Sequence, residues 1–353
     1  MKALSKKSVI IIIVAAVLAA VIVAVSVVDA AWQKRNELHT HTGIAMGSVV
    51  SQKIYGDNIC SEIFDAICAL DTDKLSTTSD SAEISLINDS AGKSEVAVSD
   101  ETISYLRLCI DLADKTNGAF NPLMGALIDL WNIESANPEV PTAQEIEQAL
   151  LLCDYTQIQI DGNSVYLPKE GMKLHLGAAG KGIACDVAYD VICRAQHNRG
   201  AVISVGGSIM TVGKSLEDDG WTVGVRDPEG SINDMLGVLT VFSEKYISTS
   251  GSYEKYFEQD GKRYHHILDY STGAPAESEL VSVTVVAPSG MLSDALSTAC
   301  FVLGAENSFQ ILSEYSCQAI FVFENGDIII TDGIADSFEL RSDSYRIVQV
   351  AQL

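Results

Sequence analysis

The sequence predicts an α+β domain with a helical N-terminal part, preceded by one transmembrane helix. Three features predict this class. A run of twenty mostly apolar residues lies close to the N-terminus, helical spacing of apolar residues dominates before Tyr155, and short extended segments dominate after it. Hydrophobic residues make up 47% of the 353 residues and charged residues 20%, which is typical of a folded body and not of a disordered chain.

The charge balance excludes one class of partner. The chain contains 23 lysines and arginines against 47 aspartates and glutamates, so its net charge at pH 7 is −24. Affinity for nucleic acid depends on clustered basic residues that neutralise backbone phosphates. We therefore expect no nucleic-acid partner.

Residues 9–28 form the apolar run, whose only polar member is Ser26. A helix of this length spans the hydrocarbon core of a bilayer. Three lysines precede the run and no acidic residue occurs before Asp29, so residues 1–8 are expected in the cytoplasm and the body outside the cell membrane. The length of the run favours an uncleaved signal anchor, and a signal peptide cleaved near residues 28–30 is the alternative.

The segment after the run is polar at first and then shows regular patterns. Residues 29–44 are expected to form a linker, and residues 45–353 a single domain. In its first half, a strand is predicted at residues 45–55. Three helices are predicted at residues 59–70, at residues 100–115 and from Thr142 onward. Thr142 and Glu145 form a capping-box pattern, which marks the start of the third helix.

The second half of the domain is predicted to consist of short strands and two helices. The helices are expected at residues 182–196 and 293–303. The strands are expected at residues 158–160, 164–167, 201–205, 221–225, 237–242, 281–286, 319–323 and 327–331. Asn325-Gly326, between the last two strands, is a strong signal for a two-residue hairpin turn.

Eight cysteines occur in the chain, and none belongs to a Cys-x-x-Cys pair. Six of them lie within apolar patterns of helical spacing. These positions favour buried free thiols over a disulfide framework, and they argue against a zinc site.

A glycine-rich segment, Leu-Gly-Ala-Ala-Gly-Lys-Gly at residues 176–182, precedes one predicted helix. Backbone N–H groups in such a loop can approach an anionic pyrophosphate, with help from the helix dipole and from Lys181. The segment is not a P-loop, because Gly182 and not Ser or Thr follows the lysine. A plain turn between a strand and a helix is the alternative.

Asp294 and Thr298 form a second candidate pair at the start of the last predicted helix. They are four residues apart, so a carboxylate and a hydroxyl share one helical face. Hard oxygen ligands of this kind suit Mg²⁺. The alternative is that Ser293 caps the helix and Asp294 only complements its dipole.

His265 and His266 form a third candidate, within Arg-Tyr-His-His-Ile-Leu-Asp at residues 263–269. Consecutive side chains of an extended segment point to opposite faces, so at most one histidine faces a given site. Histidine is also the natural acid or base near neutral pH. The alternative is one exposed histidine and one structural, hydrogen-bonded histidine.

Taken together and in this order, these segments resemble the ApbE family of FAD:protein FMN transferases, formerly labelled thiamine-biosynthesis lipoproteins. The resemblance covers most of the chain after the apolar run. The similar segments are residues 46–48, 117–122, 176–182, 204–207, 221–228, 249–253, 264–275, 282–285 and 294–304. The resemblance implies an ApbE-like, T-fold-like domain with a mixed sheet, held at a bacterial cell membrane by the predicted anchor.

The resemblance also implies individual site residues. Asp294 and Thr298 fall on the family's Mg²⁺ ligands, with backbone oxygens from the positions of Ala178 and Ser297. His266 lies in the family's His-Ile-x-Asp motif and is the expected catalytic acid or base. FAD contacts are implied for Met46, Ala119, Phe120, Asn121, His175, Lys181 and Ile267.

Three positions depart from the family pattern. His175 stands where the family commonly has Asp, Thr78 lies near where many members place an aromatic residue, and Ser208 replaces Asn or Asp after Gly-Gly. These departures concern the flavin and adenine contacts more than the metal site.

The resemblance implies an Mg²⁺-dependent reaction with FAD as substrate. FMN would be attached by a phosphoester bond to Thr or Ser of an acceptor protein, and AMP would be released. The implied acceptor is a separate extracytoplasmic flavoprotein of a redox pump or of an extracellular electron-transfer chain. Two alternatives remain open: an Mg²⁺-dependent FAD pyrophosphatase that releases free FMN, and a flavin-binding module that leaves FAD intact.

Overall fold

Ten α-helices are found in the computed structural model, which describes residues 6–195, 199–215, 220–231 and 233–353. The helices are α1 Lys6–Asn36, α2 Cys60–Leu70, α3 Glu83–Asp89, α4 Asp100–Lys115, α5 Gly125–Trp131, α6 Ala143–Leu150, α7 Gly177–Arg194, α8 Gly290–Leu303, α9 Ala305–Glu314 and α10 Asp332–Ala335. A single π-helical turn, Asp71–Leu75, continues α2, and a short 3₁₀ turn lies at Tyr155–Gln157.

Nineteen strands accompany these helices in the described part of the chain. Those of the first half are β1 Leu38–Ala45, β2 Ser48–Tyr55, β3 Val96–Ala97, β4 Gln159–Asp161, β5 Ser164–Tyr166, β6 Gly200–Val205, β7 Ser208–Gly213, β8 Trp221–Arg226 and β9 Met235–Val241. The others are β10 Lys245–Gly251, β11 Tyr256–Gln259, β12 Lys262–His265, β13 Leu268–Asp269, β14 Ala274–Pro275, β15 Leu280–Ala287, β16 Gln318–Phe323, β17 Asp327–Thr331, β18 Phe338–Leu340 and β19 Arg346–Ala351.

A nine-stranded sheet in the order β1-β2-β6-β7-β10-β15-β16-β17-β19 forms the centre of the fold. Every neighbouring pair is antiparallel except β17 and β19, which are parallel, so the sheet is mixed. One face packs against helices that include α2, α7 and α8. The other face packs against a small sheet in the order β18-β9-β8 through residues such as Trp221, Leu239 and Ile320.

Several elements confirm the local signals of the sequence. Helix α4 has the bounds that its periodicity predicts, and α6 follows the predicted capping box at Thr142 and Glu145. Strands β16 and β17 form the hairpin that Asn325-Gly326 predicts, with a positive φ of 81° at Gly326. These are elements whose ends are fixed by residues within one turn of the chain.

The linker predicted at residues 29–44 is wrong for most of its length. Helix α1 continues to Asn36, and β1 begins at Leu38 and pairs with β2 over eight residues. The prediction failed because β1 lies at the sheet edge, where polar side chains alternate toward solvent and mask the strand pattern. The strand expected at residues 45–55 is therefore a hairpin whose turn lies at Met46 and Gly47, both with positive φ.

Two helix starts also differ from the prediction. Helix α7 begins at Gly177 and not at residue 182, and the predicted end at residue 196 lies outside the described residues. Helix α8 begins at Gly290 with Ser289, and not Ser293, as its N-cap. In both cases glycines lie within the helix because the missing side chains let the backbones of α7 and α8 approach closely. A sequence pattern does not show which two backbones will meet.

All eight cysteines are free, as expected. Six are buried, whereas Cys68 is half-buried and Cys193 is exposed, so these two thiols do not match the expectation of burial. Burial raises the pKa of the Cys300 thiol to about 12, which keeps this thiol protonated and unreactive.

Helix α1 contains one stretch, Ile12–Asn36, that is long and apolar enough to cross a membrane, with a mean hydropathy of 2.9. The first five residues of the predicted cytoplasmic segment 1–8 lie outside the described part of the chain. At the end of this stretch, Lys34 forms an ion pair with Asp57 at 3.1 Å, and Asn36 Oδ1 accepts a hydrogen bond from Arg199 at 2.8 Å. The end of α1 is thus attached to the domain directly.

Candidate active site

The crossing of α7 and α8 positions the proposed metal-binding residues. A Cβ at Gly182 would lie 2.0 Å from Gly290 O, so only glycine allows this approach. Asp186 on α7 accepts hydrogen bonds from the backbone N–H groups of Gly290 at 2.6 Å and Met291 at 2.8 Å. These bonds fix the start of α8 against α7, and burial raises the pKa of Asp186 to about 6.

Asp294 lies at this crossing with only 3% of its surface exposed. Its Oδ2 accepts a hydrogen bond from Gly182 N at 3.0 Å, and its Oδ1 lies 3.7 Å from Lys181 Nζ. Lys181 also lies 3.5 Å from Gly177 O. A buried carboxylate and one ammonium group thus face each other across the two helices.

Hydroxyl groups surround Asp294 on α8. Ser297 donates a hydrogen bond to Asp294 O at 2.8 Å, and Thr298 Oγ1 lies on the next residue of the same turn. Ser250, in β10, lies 2.7 Å from the Ser297 hydroxyl and 3.1 Å from the Thr298 hydroxyl. Ser250 was not predicted as a site residue, although its segment contributes to the family resemblance.

The donor set at this place fits a hard cation. It offers the Asp294 carboxylate and the Thr298 hydroxyl. The further predicted ligand is the backbone oxygen of Ala178, a half-buried residue in the first turn of α7. In the described residues no cluster of three or more His, Cys, Asp or Glu side chains could hold a metal ion alone. A single carboxylate with neutral oxygens is compatible with Mg²⁺, which commonly takes further ligands from substrate phosphates and water.

The turn between β1 and β2 lies next to this crossing. A Cβ at Gly180 would lie 3.4 Å from Met46 Cε, so Met46 covers the first turns of α7. The turn at Gly206 lies on the other side of Lys181, because a Cβ there would lie 3.2 Å from Lys181 Cδ. Gly206 has a positive φ of 56°, which glycine adopts without strain.

His266 follows β12 and lies within electrostatic range of Lys181 and Lys255. Its Nδ1 lies 3.3 Å from Lys255 O. Burial, followed by the charges of Lys255 and Lys181, lowers the pKa of His266 to about 4. The imidazole is therefore neutral near pH 7.

His265 has a different environment. It is buried, its Nε2 lies 3.1 Å from Ala276 O, and its ring meets Phe301 edge-on at 5.5 Å. Ile267, the next predicted contact, is buried and donates its N–H to His265 Nδ1 at 3.3 Å. A cavity of about 1030 Å³ lies on the His265 side, and none of the predicted catalytic, FAD or metal residues lines it.

The remaining predicted FAD residues lie around His175. The backbone N–H of His175 donates to Pro122 O at 2.8 Å, which joins its segment to that of Phe120 and Asn121. Burial lowers the pKa of His175, Asp129 opposes this, and Lys255 and Lys181 add to it. His175 therefore lies within the electrostatic range of the same two lysines as His266.

Phe120 and Asn121 do not have free side chains. Phe120 is buried in the core, and the Asn121 amide donates to Cys153 O and accepts from Leu123 N, both at 2.8 Å. The Phe120 side chain is therefore not available to a ligand, and the Asn121 amide has only its second N–H and its remaining lone pair to offer. Ala119 is half-buried, and Thr78 is exposed.

Residues 46–321 match the sequence model of the ApbE family, which is more than half of the chain. The chain belongs to the ApbE family. It is 32% identical to a FAD:protein FMN transferase of Treponema pallidum over 320 residues, covering 84% of this chain and 88% of that protein. It is 33% identical to a FAD:protein FMN transferase of Klebsiella pneumoniae over 318 residues, covering 89% of this chain and 98% of that protein.

Solved structures give the same family. The crystal structure of the ApbE protein of Thermotoga maritima has a TM-score of 0.78 and 31% identity with this chain, covering 87% of this chain and 100% of that one. The α+β class, the mixed sheet and the ApbE family predicted from the sequence are thus confirmed.

Proposed function

We propose that this ApbE-family protein is a FAD:protein FMN transferase that requires Mg²⁺ and modifies an extracytoplasmic flavoprotein. One observation carries the proposal most strongly. Lys181 lies 3.7 Å from the buried Asp294 carboxylate at the α7–α8 crossing, and Thr298 lies one helical turn after Asp294, inside the segment that matches the family. The identity with named FMN transferases over most of the chain supports the same reaction class.

The proposed reaction replaces the phosphoanhydride bond of FAD by a phosphoester bond to the acceptor. The hydroxyl oxygen of a Thr or Ser on the acceptor attacks the FMN phosphorus of FAD. The bond between that phosphorus and the bridging oxygen breaks, AMP leaves with the bridging oxygen, and the hydroxyl proton goes to a base. The overall change is FAD plus acceptor hydroxyl to FMN-acceptor plus AMP.

The side chains of the site divide this work. Bound Mg²⁺ would supply charge neutralisation on the diphosphate, and Asp294 and Thr298, with backbone oxygens at Ala178 and Ser297, would hold it. Lys181 adds a fixed positive charge beside Asp294. His266 is neutral at pH 7 because its pKa is about 4, so it is available to accept the proton of the attacking hydroxyl.

The FAD cleft is proposed to lie between the β1–β2 turn and the segments of Ala119 and His175. Met46 would cover one side, and the backbone at Phe120 and Asn121 would contribute polar groups. His175 would replace the acidic residue common in the family. Its lowered pKa makes it a neutral donor or acceptor at pH 7.

We also propose that α1 is an uncleaved anchor with the domain outside the bacterial cell membrane. The twenty-residue apolar run and the lysines before it support this orientation. The acceptor would then be a flavoprotein of a redox pump or of an extracellular electron-transfer chain.

The test of the reaction class uses the full-length protein in detergent micelles with FAD, Mg²⁺ and a candidate acceptor. Intact mass of the acceptor and chromatography of the nucleotides are measured together. A transferase gives an acceptor heavier by one FMN and an equal amount of AMP. Free FMN with an unmodified acceptor would indicate the pyrophosphatase instead, and intact FAD would indicate a binding module.

A further inference from the structure

Arg226, the last residue of β8, has a guanidinium group without an ionic partner. Among the described residues, no carboxylate lies within 4.0 Å of it as an ion pair, and its buried Nε has no hydrogen-bond partner. Its close neighbour is the ring of Tyr253, whose centroid lies 4.9 Å from the guanidinium carbon. This Nε is sealed inside the protein, so the terminal N–H groups of the half-buried side chain are the donors that a ligand can reach.

The missing partner is not explained by a shortage of acidic residues, because the chain has 47 of them against 23 basic residues. The adjacent Asp227 is already engaged. It accepts hydrogen bonds from the Tyr345 hydroxyl at 2.6 Å and from Glu229 N at 3.0 Å. No described carboxylate is thus paired directly with the Arg226 guanidinium.

Glu254 connects Arg226 electrostatically with Lys181 of the proposed FAD site, because the charges of both act on its carboxyl group. Glu254 follows Tyr253, and its Oε1 would lie 3.7 Å from a Cβ at Gly207, next to the turn that contacts Lys181. Burial raises the pKa of Glu254, and the charges of Lys181, Arg226 and Lys255 oppose this rise. The charges of three cations on different segments therefore act on one carboxylate, which lies at the edge of the Gly206–Gly207 turn.

A planar guanidinium presents paired N–H donors that match two oxygens of one phosphate. FAD carries its negative charge on the diphosphate, so this is the anion that the proposed reaction brings to the lysines. We propose that Arg226 is a phosphate-binding residue of the FAD site and donates hydrogen bonds to the diphosphate. This inference rests on the proposed function and adds a contact that the sequence did not predict.

The test compares Arg226→Gln and Arg226→Lys with the wild-type full-length protein in detergent micelles. Dissociation constants are measured by calorimetry for FAD, for ADP and for riboflavin, which has no phosphate. Arg226→Gln should weaken FAD and ADP binding by about tenfold to a hundredfold, because one charge-assisted contact is lost. Riboflavin binding should stay unchanged, and Arg226→Lys should restore part of the lost affinity.

Arg263 provides the matched control. It also lies over a tyrosine ring, 4.2 Å from the Tyr256 centroid, but it is exposed and lies 3.7 Å from Glu258. Arg263→Gln should leave all three dissociation constants at the wild-type values. Thermal unfolding of each variant shows whether the fold is retained.

Three results would overturn the assignment of Arg226. Wild-type FAD affinity in Arg226→Gln would show that no phosphate contact exists there. Equal losses for FAD and riboflavin would indicate a role in the flavin pocket or the fold. Unchanged FAD affinity with a raised KM for the acceptor would place Arg226 in the acceptor site. If the wild-type protein binds FAD but transfers no FMN, the proposed function fails while these dissociation constants still decide the role of Arg226.

Discussion

Ser250 shows how a residue outside the proposed ligand set can control it. Its hydroxyl contacts those of both Ser297 and Thr298, so it orients the hydroxyl that we assign to Mg²⁺. Partners that orient metal ligands commonly affect metal affinity as much as some ligands do. The hydroxyl of Ser250 is therefore expected to affect Mg²⁺ affinity, although it is not one of the proposed ligands.

We predict that Ser250→Ala weakens Mg²⁺ binding by about tenfold or more, because the Thr298 hydroxyl loses the partner that fixes its rotamer. Calorimetric titration of Mg²⁺ into the FAD-loaded protein measures this. Ser252→Ala is the control, since Ser252 lies two residues later in the chain and lines the cavity on the His265 side. Identical Mg²⁺ affinity in the Ser250 variant would contradict the positioning role.

Variants of the two adjacent histidines should differ in their effects, one on the transfer rate and the other on the stability of the fold. His266→Ala should lower the transfer rate constant by about a hundredfold or more, with little change in FAD affinity, because the base acts in the transition state. His265→Ala should lower the free energy of unfolding by about 1–3 kcal/mol, because the buried Ala276 O loses its imidazole partner. Single-turnover rates and denaturant unfolding of both variants decide, and a normal rate for His266→Ala with a lost rate for His265→Ala would reverse the roles.

At the scale of elements, the α7–α8 crossing carries the site, and its glycines are the critical positions. We predict that Gly182→Ala costs about 1–3 kcal/mol or more in stability, because the added methyl would overlap Gly290 O. Gly180→Ala on the same helix is the control and should change stability by less than about 1 kcal/mol, since its Cβ would meet only the side-chain ends Met46 Cε at 3.4 Å and Leu75 Cδ1 at 3.7 Å. Equal stability of the two variants, by thermal or denaturant unfolding, would show that the crossing is not tight.

The elements also show what the sequence can and cannot predict. Helix α4 and the β16–β17 hairpin are predictable because a Ser99 cap, apolar spacing and an Asn-Gly turn are local signals. The start of α7 was missed because its glycines read as a loop until α8 is present to pack against them. Strand β1 was missed because its polar alternation has meaning only beside β2.

The same distinction holds for the candidate site. Asp294 and Thr298 are predictable as a pair because helical spacing places them on one face. Ser250 and Arg226 come from strands, and their contacts with Thr298 and Tyr253 follow only from the tertiary packing of these strands against other segments. The internal bonds of Asn121 likewise become visible only when Cys153 is placed beside it.

At the scale of the whole molecule, the apolar helix and the domain form a continuous structure with a single residue, Glu37, between α1 and β1. The contacts Lys34–Asp57 and Arg199–Asn36 hold this junction. An anchored enzyme of this kind should act close to the membrane that holds it.

We predict that protease added to intact spheroplasts digests the domain, because the lysines before the apolar run favour its placement outside. Immunoblots with an antibody to the domain measure the loss, and a cytoplasmic marker protein is the control for lysis. Protection of the domain until the spheroplasts are lysed would reverse the orientation.

The most direct test of the account is FMN transfer by Asp294→Ala, compared with Asp294→Asn and the wild type. Asp294 supplies the only charge in the proposed ligand set, and the asparagine variant keeps an oxygen that can accept from Gly182 N. With FAD, Mg²⁺ and an acceptor, intact-mass spectrometry should show an FMN-modified acceptor for the wild type alone, while all three proteins unfold cooperatively. Full transfer by Asp294→Ala with the wild-type Mg²⁺ dependence would contradict the proposed metal site and the mechanism built on it.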